Sequence, residues 1–240
     1  MKSIILSAGL GSRAKPLTNA VPKVMLKIGG KPLLEHQIIL CRKYGIKEIA
    51  VNLHYKPKII TDYFQNGNKW GVKITYSYEK KLLGTAGALK KLINYWNNQP
   101  FLMLYGDNFT SIDLSKIINF SQKHQAPCNM TLFLSSEPWT QGVVKTDNKG
   151  RVIQFVEKPE KDKIKTNWVD AGISIFNPKI LKYIPSDKYF DLGRDFFPLL
   201  IKKGIPIHTL KVTDYIQDIG TPKRYKKAKM DLKKGIAKLP

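Results

Sequence analysis

Short apolar runs alternate with amphipathic stretches along the first half of the chain, and turn residues separate them. Short apolar or alternating segments are typical of strands, whereas apolar residues repeated every three or four positions are typical of helices. The pattern predicts strands at SIILS, IKEIAVNL, VKITYSY and PFLMLYGDN, and helices at LLEHQIILCRKYG, PKIITDYFQNG and about Ala86 to Tyr95. We therefore expect an α/β, Rossmann-like fold with a mixed, mostly parallel sheet and helices on both faces.

The second half has a different pattern. From Met130 onward, short strands follow one another with turn residues such as DNKG between them: MTLFLSS, GVVKTD, GRVIQFVEK and AGISIFN. We interpret this half as an α+β elaboration of the same sheet. The last segment predicts a helix with Thr221 as its N-cap and Pro222 at its first position. A chain of 240 residues is expected to form a single domain.

The charge is strongly positive, because 41 Lys and Arg residues stand against 18 Asp and Glu residues and give a net charge of +23. Such a field attracts polyanions. Nucleic-acid binding is nevertheless not expected, because arginines are few and the lysines are spread along the whole chain. The alternative explanation of the net charge is a lysine-rich, solvated surface without a polyanion partner.

Membrane spans, signal segments and cysteines bear on the cellular compartment of the protein. No apolar run approaches the length of a membrane span, and no cleavable signal segment is recognisable, so no membrane association is expected. Cys41 and Cys128 stand alone, without the spacing of a metal site or of a disulfide framework. These features favour the cytoplasm.

The segment AGLGSRAKPLTNAVPK, Ala8 to Lys23, follows the first predicted strand and carries a weak dinucleotide-binding pattern in Gly9, Gly11 and Ala14. That pattern requires a helix to begin at once, so that the pyrophosphate meets its N-terminus. The prolines and glycines that follow prevent any helix before about Leu33. A Walker-type phosphate loop is also excluded, because no G-K-[ST] occurs at the required spacing.

What remains is a long, glycine-led loop behind a strand. Its backbone N–H groups, together with Arg13 and Lys23, suit the phosphates of a nucleoside triphosphate. The alternative is a surface connection with incidental charges, which would have to explain an unusually long loop where open α/β sheets bind ligands.

The segment GLGSRAKPLTNAVPKVMLKIGGKPLLEH resembles the signature of the sugar-1-phosphate nucleotidylyltransferases. The resemblance continues in the family's order through LGTAGAL, YGDN, FVEKP, NWVDAGISIF and DIGTPKRY, and covers nearly the whole chain. It implies attack by a sugar phosphate on the α-phosphorus of a nucleoside triphosphate. It also implies an NTP-binding half at about 1–128, a sugar-phosphate-binding half at about 129–220 and a C-terminal helix at 221–240. We expect a stand-alone transferase.

The resemblance assigns roles to residues of the first half. It implies that Arg13 holds the outer phosphates, that Lys23 acts at the α-phosphate, and that Asp107 and Asp218 bind Mg²⁺. It places the nucleotide against Ala8, Gly9, Gly11, Ser12, Arg13, Lys23, Glu79, Gly84 and Thr85.

The resemblance assigns the sugar 1-phosphate to a second set of residues, namely Asn108, Gly142, Glu157, Lys158, Asn167 and Gly172. Among them Lys158 matches the lysine that binds the sugar's phosphate, and Glu157 matches the carboxylate that accepts sugar hydroxyls. Because neighbours along a strand point to opposite faces, a turn or bulge before Pro159 is needed to bring both to one site. Asp170 departs from the family's pattern, and either tunes which sugar is accepted or faces solvent.

Glu79 stands where relatives that use UTP or dTTP commonly have a glutamine. A carboxylate offers only acceptors, which suits the adjacent N–H donors of guanine and opposes uracil O4. The sequence therefore favours GTP, with a mannose- or heptose-type 1-phosphate as acceptor. One alternative is an enzyme that uses UTP or dTTP. Another is that Glu79 merely pairs with Lys80 or Lys81 on the surface and leaves the base to backbone contacts.

Two other classes of protein stay open at this point. One is a catalytically silent NTP- or polyanion-binding regulator on the same fold, which would have no reason to keep both carboxylates. The other is a metal-dependent glycosyltransferase, which the absence of a D-x-D motif disfavours. NTP and sugar 1-phosphate are the expected partners, and a homo-oligomer is compatible with the sequence.

Overall fold

The computed structural model describes all residues from Met1 to Pro240. The chain forms two compact units that interleave in sequence. The first unit consists of Met1–Leu82, Met103–Leu114 and Asp214–Pro240, and the second of Leu83–Leu102 and Ser115–Thr213. The predicted halves at about 1–128 and 129–220 stay a prediction. None of the helices combines the length and the apolar character that crossing a membrane requires.

The elements follow the predicted order closely. The strands are β1 (Lys2–Leu6), β2 (Lys27–Ile28), β3 (Lys31–Pro32), β4 (Glu48–Leu53), β5 (Lys73–Tyr78), β6 (Phe101–Tyr105), β7 (Asn108–Thr110), β8 (Cys128–Leu134), β9 (Gly142–Thr146), β10 (Val152–Glu157), β11 (Trp168–Phe176), β12 (Ile207–Val212) and β13 (Ile216–Asp218). The helices are α1 (Leu33–Lys43), α2 (Pro57–Phe64), α3 (Gly84–Lys91), α4 (Leu114–His124), α5 (Phe197–Lys202) and α6 (Pro222–Lys233).

Within the first unit the strand order is β6-β1-β4-β5. The pairs β1·β4 and β4·β5 are parallel, and their register aligns Leu6 with Asn52 and Asn52 with Ser77. The carboxyl ends of these strands therefore lie side by side, which is where open parallel sheets bind ligands. The short strands β7 and β13 pair antiparallel beside them, with Asn108 opposite Asp218.

A compact apolar cluster packs the C-terminal helix α6 against the rest of the first unit. Leu26, Ile28 and Leu33 pack in it with Phe109 and Ala228. The predicted helix cap is confirmed, because the Thr221 side chain accepts the Arg224 N–H at 3.3 Å and Pro222 opens α6.

The second unit has a mixed sheet in which β11 pairs antiparallel with β8 and β9, β10 pairs antiparallel with β9, and β12 runs parallel to β8. Aromatic side chains fill its core; the rings of Trp96 and Phe101 stack with their centroids 3.8 Å apart. The helix predicted for about Ala86 to Tyr95 begins earlier, at Gly84, and ends at Lys91, where a 3₁₀ turn follows. A periodic pattern does not distinguish these two kinds of helix near their junction.

Candidate active site

The glycine-led loop leaves the end of β1 without forming an α-helix before Leu33, as the sequence predicts. Gly9 is exposed, and a Cβ at this position would meet no neighbouring atom. Gly11 has a φ of 66°, and its carbonyl accepts a hydrogen bond of 2.8 Å from the Thr18 hydroxyl. This left-handed conformation turns the loop toward two short 3₁₀ turns, Ser12–Ala14 and Lys23–Met25, which carry its cations.

Lys23 and Asp107 form an ion pair in the first unit, with the ammonium donating to the carboxylate. Asp107 lies two residues beyond the end of β6. Its neighbour Gly106 lies so close to β1 that a Cβ would stand 2.6 Å from the Leu6 carbonyl oxygen. Burial opposes the ionisation of Asp107, but the ammonium of Lys23 and the more distant Arg13 together lower its pKa below the ordinary value. Asp107 is therefore an anion held in place by a cation.

Asp218 ends β13 and has a cation of its own. Arg224 Nη1 lies 2.6 Å from Asp218 Oδ2, and the Gly220 N–H donates to Oδ1. Burial raises the pKa of Asp218, and the negative charge of Asp107 raises it further, while Lys23 and Arg224 oppose both effects. The Ile219 N–H also donates to the Asp107 carbonyl oxygen at 3.0 Å, which fastens the two acidic segments together.

The two carboxylates of Asp107 and Asp218 fit a divalent cation of the hard, oxygen-seeking kind. Their charges act on each other, so a cation between them would relieve a repulsion that is present in the protein alone. No group of three acidic, histidine or cysteine side chains forms a complete protein shell. That suits Mg²⁺, which keeps several waters and binds through one or two carboxylates together with substrate phosphates.

Glu79 follows β5 and is only 5% exposed, so it does not lie on the surface. Its Oε1 accepts a hydrogen bond of 2.8 Å from Asn52 Nδ2, and its backbone carbonyl oxygen lies 2.8 Å from His54 Nδ1. Asn52 Oδ1 in turn accepts the Ser7 N–H at 2.7 Å. The carboxylate is thus connected to the strand end from which the glycine-led loop departs.

Gly84 and Thr85, predicted to contact the nucleotide, lie in the second unit. Gly84 has a φ of 74°, and a Cβ there would lie 2.5 Å from the Phe190 carbonyl oxygen. The Thr85 hydroxyl donates to Asp191 Oδ2 at 2.9 Å and accepts the Leu192 N–H at 2.7 Å. Thr85 thus bonds to the segment after Phe190, and Gly84 lets the Phe190 backbone approach closely. Their role toward a nucleotide stays a prediction.

Glu157 and Lys158 occupy the end of β10 in the second unit. The strand ends at Glu157, and Lys158 has a φ of 51°, a left-handed turn before Pro159. The expected turn is thereby confirmed, and it brings Lys158 Nζ within 2.8 Å of Glu157 Oε1. Gly193 flanks this carboxylate; a Cβ there would stand 2.8 Å from Glu157 Oε2. Gly142 lies against the Phe155 ring in the same way.

Asp170 does not face solvent, which makes that alternative wrong. Its side chain is buried in β11, and Oδ1 accepts the Gly172 N–H at 2.9 Å. Burial, followed by the negative charges of Glu157 and Asp191, raises its pKa to about 7 although the Gly172 hydrogen bond opposes the rise. The register of β11 against β8 shifts between Asp170 and Ser174, so regular alternation does not predict which way Asp170 points.

The predicted site residues are divided between the units. The first contains Ala8, Gly9, Gly11, Ser12, Arg13, Lys23, Glu79, Asp107, Asn108 and Asp218, and the second contains Gly84, Thr85, Gly142, Glu157, Lys158, Asn167 and Gly172. Asn108 was grouped with the sugar residues, but it is buried in β7 directly after Asp107. Asn167 is exposed, and its backbone carbonyl oxygen accepts the Ser135 N–H at 3.0 Å.

Three polar residues of these clusters were missed by the sequence analysis. Arg224 lies within DIGTPKRY, six positions after Asp218, so that motif carried a signal for it. No sequence motif indicated Asn52 or Asp191, because their hydrogen-bond partners are distant in sequence. Asn52 bonds to Glu79, and Asp191 bonds to Thr85.

The chain is similar to known proteins over nearly its whole length. The nucleotidyl transferase family matches residues 2–235. The chain is 35% identical to a UTP–glucose-1-phosphate uridylyltransferase of Synechocystis, over 92% of this chain and 60% of that protein. It is 30% identical to a mannose-1-phosphate guanylyltransferase of Mycobacterium tuberculosis, over 99% of this chain and 66% of that one. The chain thus spans less than two thirds of either relative.

A solved structure described as a glucose-1-phosphate thymidylyltransferase of Bacillus anthracis superimposes with a TM-score of 0.86 and 25% identity. The match covers 96% of this chain and 94% of that one. The predicted fold class, a mixed and mostly parallel Rossmann-like sheet with helices, is confirmed. The three relatives carry the names of three different nucleotides, so their names leave the nucleotide open.

Proposed function

The chain belongs to the nucleotidyl transferase family, and on that premise we propose that it transfers a nucleoside monophosphate from an NTP to a sugar 1-phosphate. Pyrophosphate is the other product. The observation that carries the proposal is the cluster of the first unit, in which Lys23 and the neighbouring carboxylates Asp107 and Asp218 accompany a glycine-led loop. A protein that only binds nucleotides would not need two neighbouring carboxylates beside a cationic loop.

The reaction needs little acid–base chemistry from the protein. A sugar phosphate is already an anion near neutral pH, so its oxygen attacks without a general base. The difficulty is to hold two anions together, and fixed positive charges remove it. We assign Arg13 to the outer phosphates that leave as pyrophosphate, and Lys23 to the α-phosphate, where charge develops.

Asp107 and Asp218 are the residues that would hold Mg²⁺. When bound, Mg²⁺ neutralises phosphate charge and fixes the orientation of the triphosphate. Lys23 pairs with Asp107 in the protein alone, so its ammonium is already positioned beside the proposed metal ligands. Arg224 holds the Asp218 carboxylate through a hydrogen bond of 2.6 Å.

For the sugar 1-phosphate we assign the pair at the end of β10. Lys158 offers an ammonium to the phosphate, and Glu157 offers a carboxylate that accepts hydrogen bonds from sugar hydroxyls. The left-handed turn at Lys158 supports this assignment, because it places Nζ beside the Glu157 carboxylate instead of on the opposite face of the strand. Gly142 and Gly193 leave room around the carboxylate that no larger side chain would leave.

For the nucleotide we favour GTP, with a mannose- or heptose-type 1-phosphate as acceptor. The support is the buried position of Glu79 at the carboxyl end of β5, and the name of the mycobacterial relative. A carboxylate complements two adjacent N–H donors of guanine and repels uracil O4. A polar group left unpaired in such a pocket costs about 1–3 kcal/mol, which corresponds to roughly tenfold to hundredfold discrimination.

A competition assay tests the nucleotide. GTP, UTP, dTTP and CTP are supplied at equal concentration with mannose 1-phosphate and Mg²⁺, and the NDP-sugars are separated by chromatography. We expect mainly the GDP-sugar, and loss of that preference in Glu79→Gln but not in the control Glu48→Gln, which alters an exposed side chain. Preferential formation of a UDP-, dTDP- or CDP-sugar would overturn the guanine assignment. A Glu79→Gln enzyme that kept its preference would overturn the mechanism offered for it.

A further inference from the structure

A series of hydrogen bonds crosses the carboxyl ends of three neighbouring parallel strands in the first unit. Ser7, just after β1, donates its N–H to Asn52 Oδ1 at 2.7 Å, and Asn52 Nδ2 in β4 donates to Glu79 Oε1 at 2.8 Å. All three residues are at most 5% exposed. The register of β1, β4 and β5 brings them side by side, so the series depends on the sheet and not on a flexible surface contact.

The two hydrogen bonds fix the orientation of the Asn52 amide. A backbone N–H can only donate, so the amide oxygen must face Ser7, and the amide nitrogen must then face Glu79. That nitrogen is a donor without acceptor capacity. It therefore holds the Glu79 carboxylate as an acceptor at a defined place.

We propose that Asn52 is a positioning residue for base recognition: it orients the Glu79 carboxylate toward a base edge that presents two adjacent N–H donors. This inference rests on the function proposed above, in which Glu79 contacts guanine. The same amide also holds the backbone of Ser7, from which the loop with Gly9 departs. One side chain thus connects the start of the phosphate-binding loop with the residue that selects the base.

The test compares GTP with ITP, which lacks the 2-amino group of guanine and therefore one of the two donors. In the unaltered protein we expect kcat/KM for GTP to exceed that for ITP by about tenfold or more, because a hydrogen bond to a charged acceptor is lost. In Asn52→Ala we expect the ratio to fall to within about threefold, through a higher KM for GTP with a smaller change in kcat. Asn52→Ser, which keeps a small polar side chain, provides the same comparison if the alanine variant does not fold.

Adding Asn52→Ala to Glu79→Gln provides the control. If Asn52 acts through Glu79, the Asn52→Ala change should alter the GTP-to-ITP ratio of kcat/KM much less in the Glu79→Gln background than in the unaltered protein. The reason is that the effects of mutations at two contacting residues do not simply add. A purely structural role would lower the rates with GTP and ITP equally and leave the ratio intact, and that result would overturn the inference. If the unaltered protein forms no GDP-sugar, the proposed nucleotide fails first and the inference fails with it. GTP preference with an unchanged ratio in both Asn52 variants would refute the inference alone.

Discussion

The two units place acidic side chains in opposite electrostatic settings. In the first unit the two proposed metal ligands each have a cation: Asp107 pairs with Lys23, and Asp218 pairs with Arg224. In the second unit the buried Asp170 has acidic neighbours, and no ion pair offsets their effect on it. The pKa of Asp107 is consequently lowered, whereas burial and acidic neighbours raise the pKa of Asp170 to about 7. Burial and the charge of Asp107 also raise the pKa of Asp218, although Lys23 and Arg224 oppose that rise.

The difference corresponds to two different tasks. Cations fixed beside carboxylates suit polyphosphate and a divalent metal, because the charges of the site are present before the substrate arrives. A cluster of carboxyl groups suits hydroxyl-rich ligands, because carboxylates accept hydrogen bonds from hydroxyls, and a protonated carboxyl can also donate. We therefore expect mutations in the first unit to act on the chemical step, and mutations in the second unit to act on sugar-phosphate binding and on pH dependence.

The largest expected effect is that of Asp107→Asn. Removing one proposed metal ligand and the partner of Lys23 should lower kcat by about a hundredfold or more, which is typical for the loss of a preorganised charge. Steady-state kinetics at saturating Mg²⁺ measures the loss, and Asp62→Asn on the exposed side of α2 is the matched control. Turnover close to that of the control would remove Asp107 from the metal site.

Replacing Lys23 of the first unit and Lys158 of the second should change different kinetic constants. Lys23→Ala should lower kcat by about tenfold or more, because Lys23 acts where charge develops. Lys158→Ala should mainly raise KM for the sugar 1-phosphate, by about tenfold, because it removes a charge-assisted contact to the ground-state substrate. Lys145→Ala, in an exposed position of β9, controls for the loss of general positive charge. The reverse pattern would mean that the two roles are exchanged.

A smaller effect is expected for Asp170→Asn, measured as stability against pH. The folded pKa of about 7 lies above the ordinary value of 3.8. Between those values the folded state binds more protons than the unfolded state, so Asp170 makes the protein less stable as pH rises from about 4 to 7. The loss is on the order of a few kcal/mol. Thermal unfolding from pH 5 to 8 should therefore show a flatter profile in Asp170→Asn, and parallel profiles would contradict the assignment.

The first unit was more predictable from sequence than the second. Prolines and glycines excluded an α-helix after Gly11, and the strongly apolar strand β6 placed Asp107 just beyond a strand end, because these are local features. Even the turn at Lys158 followed from strand alternation and the proline after it. The burial of Asp170 was not predictable in the same way, because it depends on a register shift in β11 and on charges from distant segments.

The proposed transfer is tested most directly by following the label of GTP radioactively marked at either its α- or its γ-phosphate, with mannose 1-phosphate and Mg²⁺. Attack at the α-phosphorus, the step that Arg13 and Lys23 are proposed to promote, puts the α-label into the GDP-sugar and the γ-label into pyrophosphate. We expect that distribution, dependent on both the sugar 1-phosphate and Mg²⁺. Transfer of the γ-label to the sugar, or release of label that does not require the sugar 1-phosphate, would contradict it.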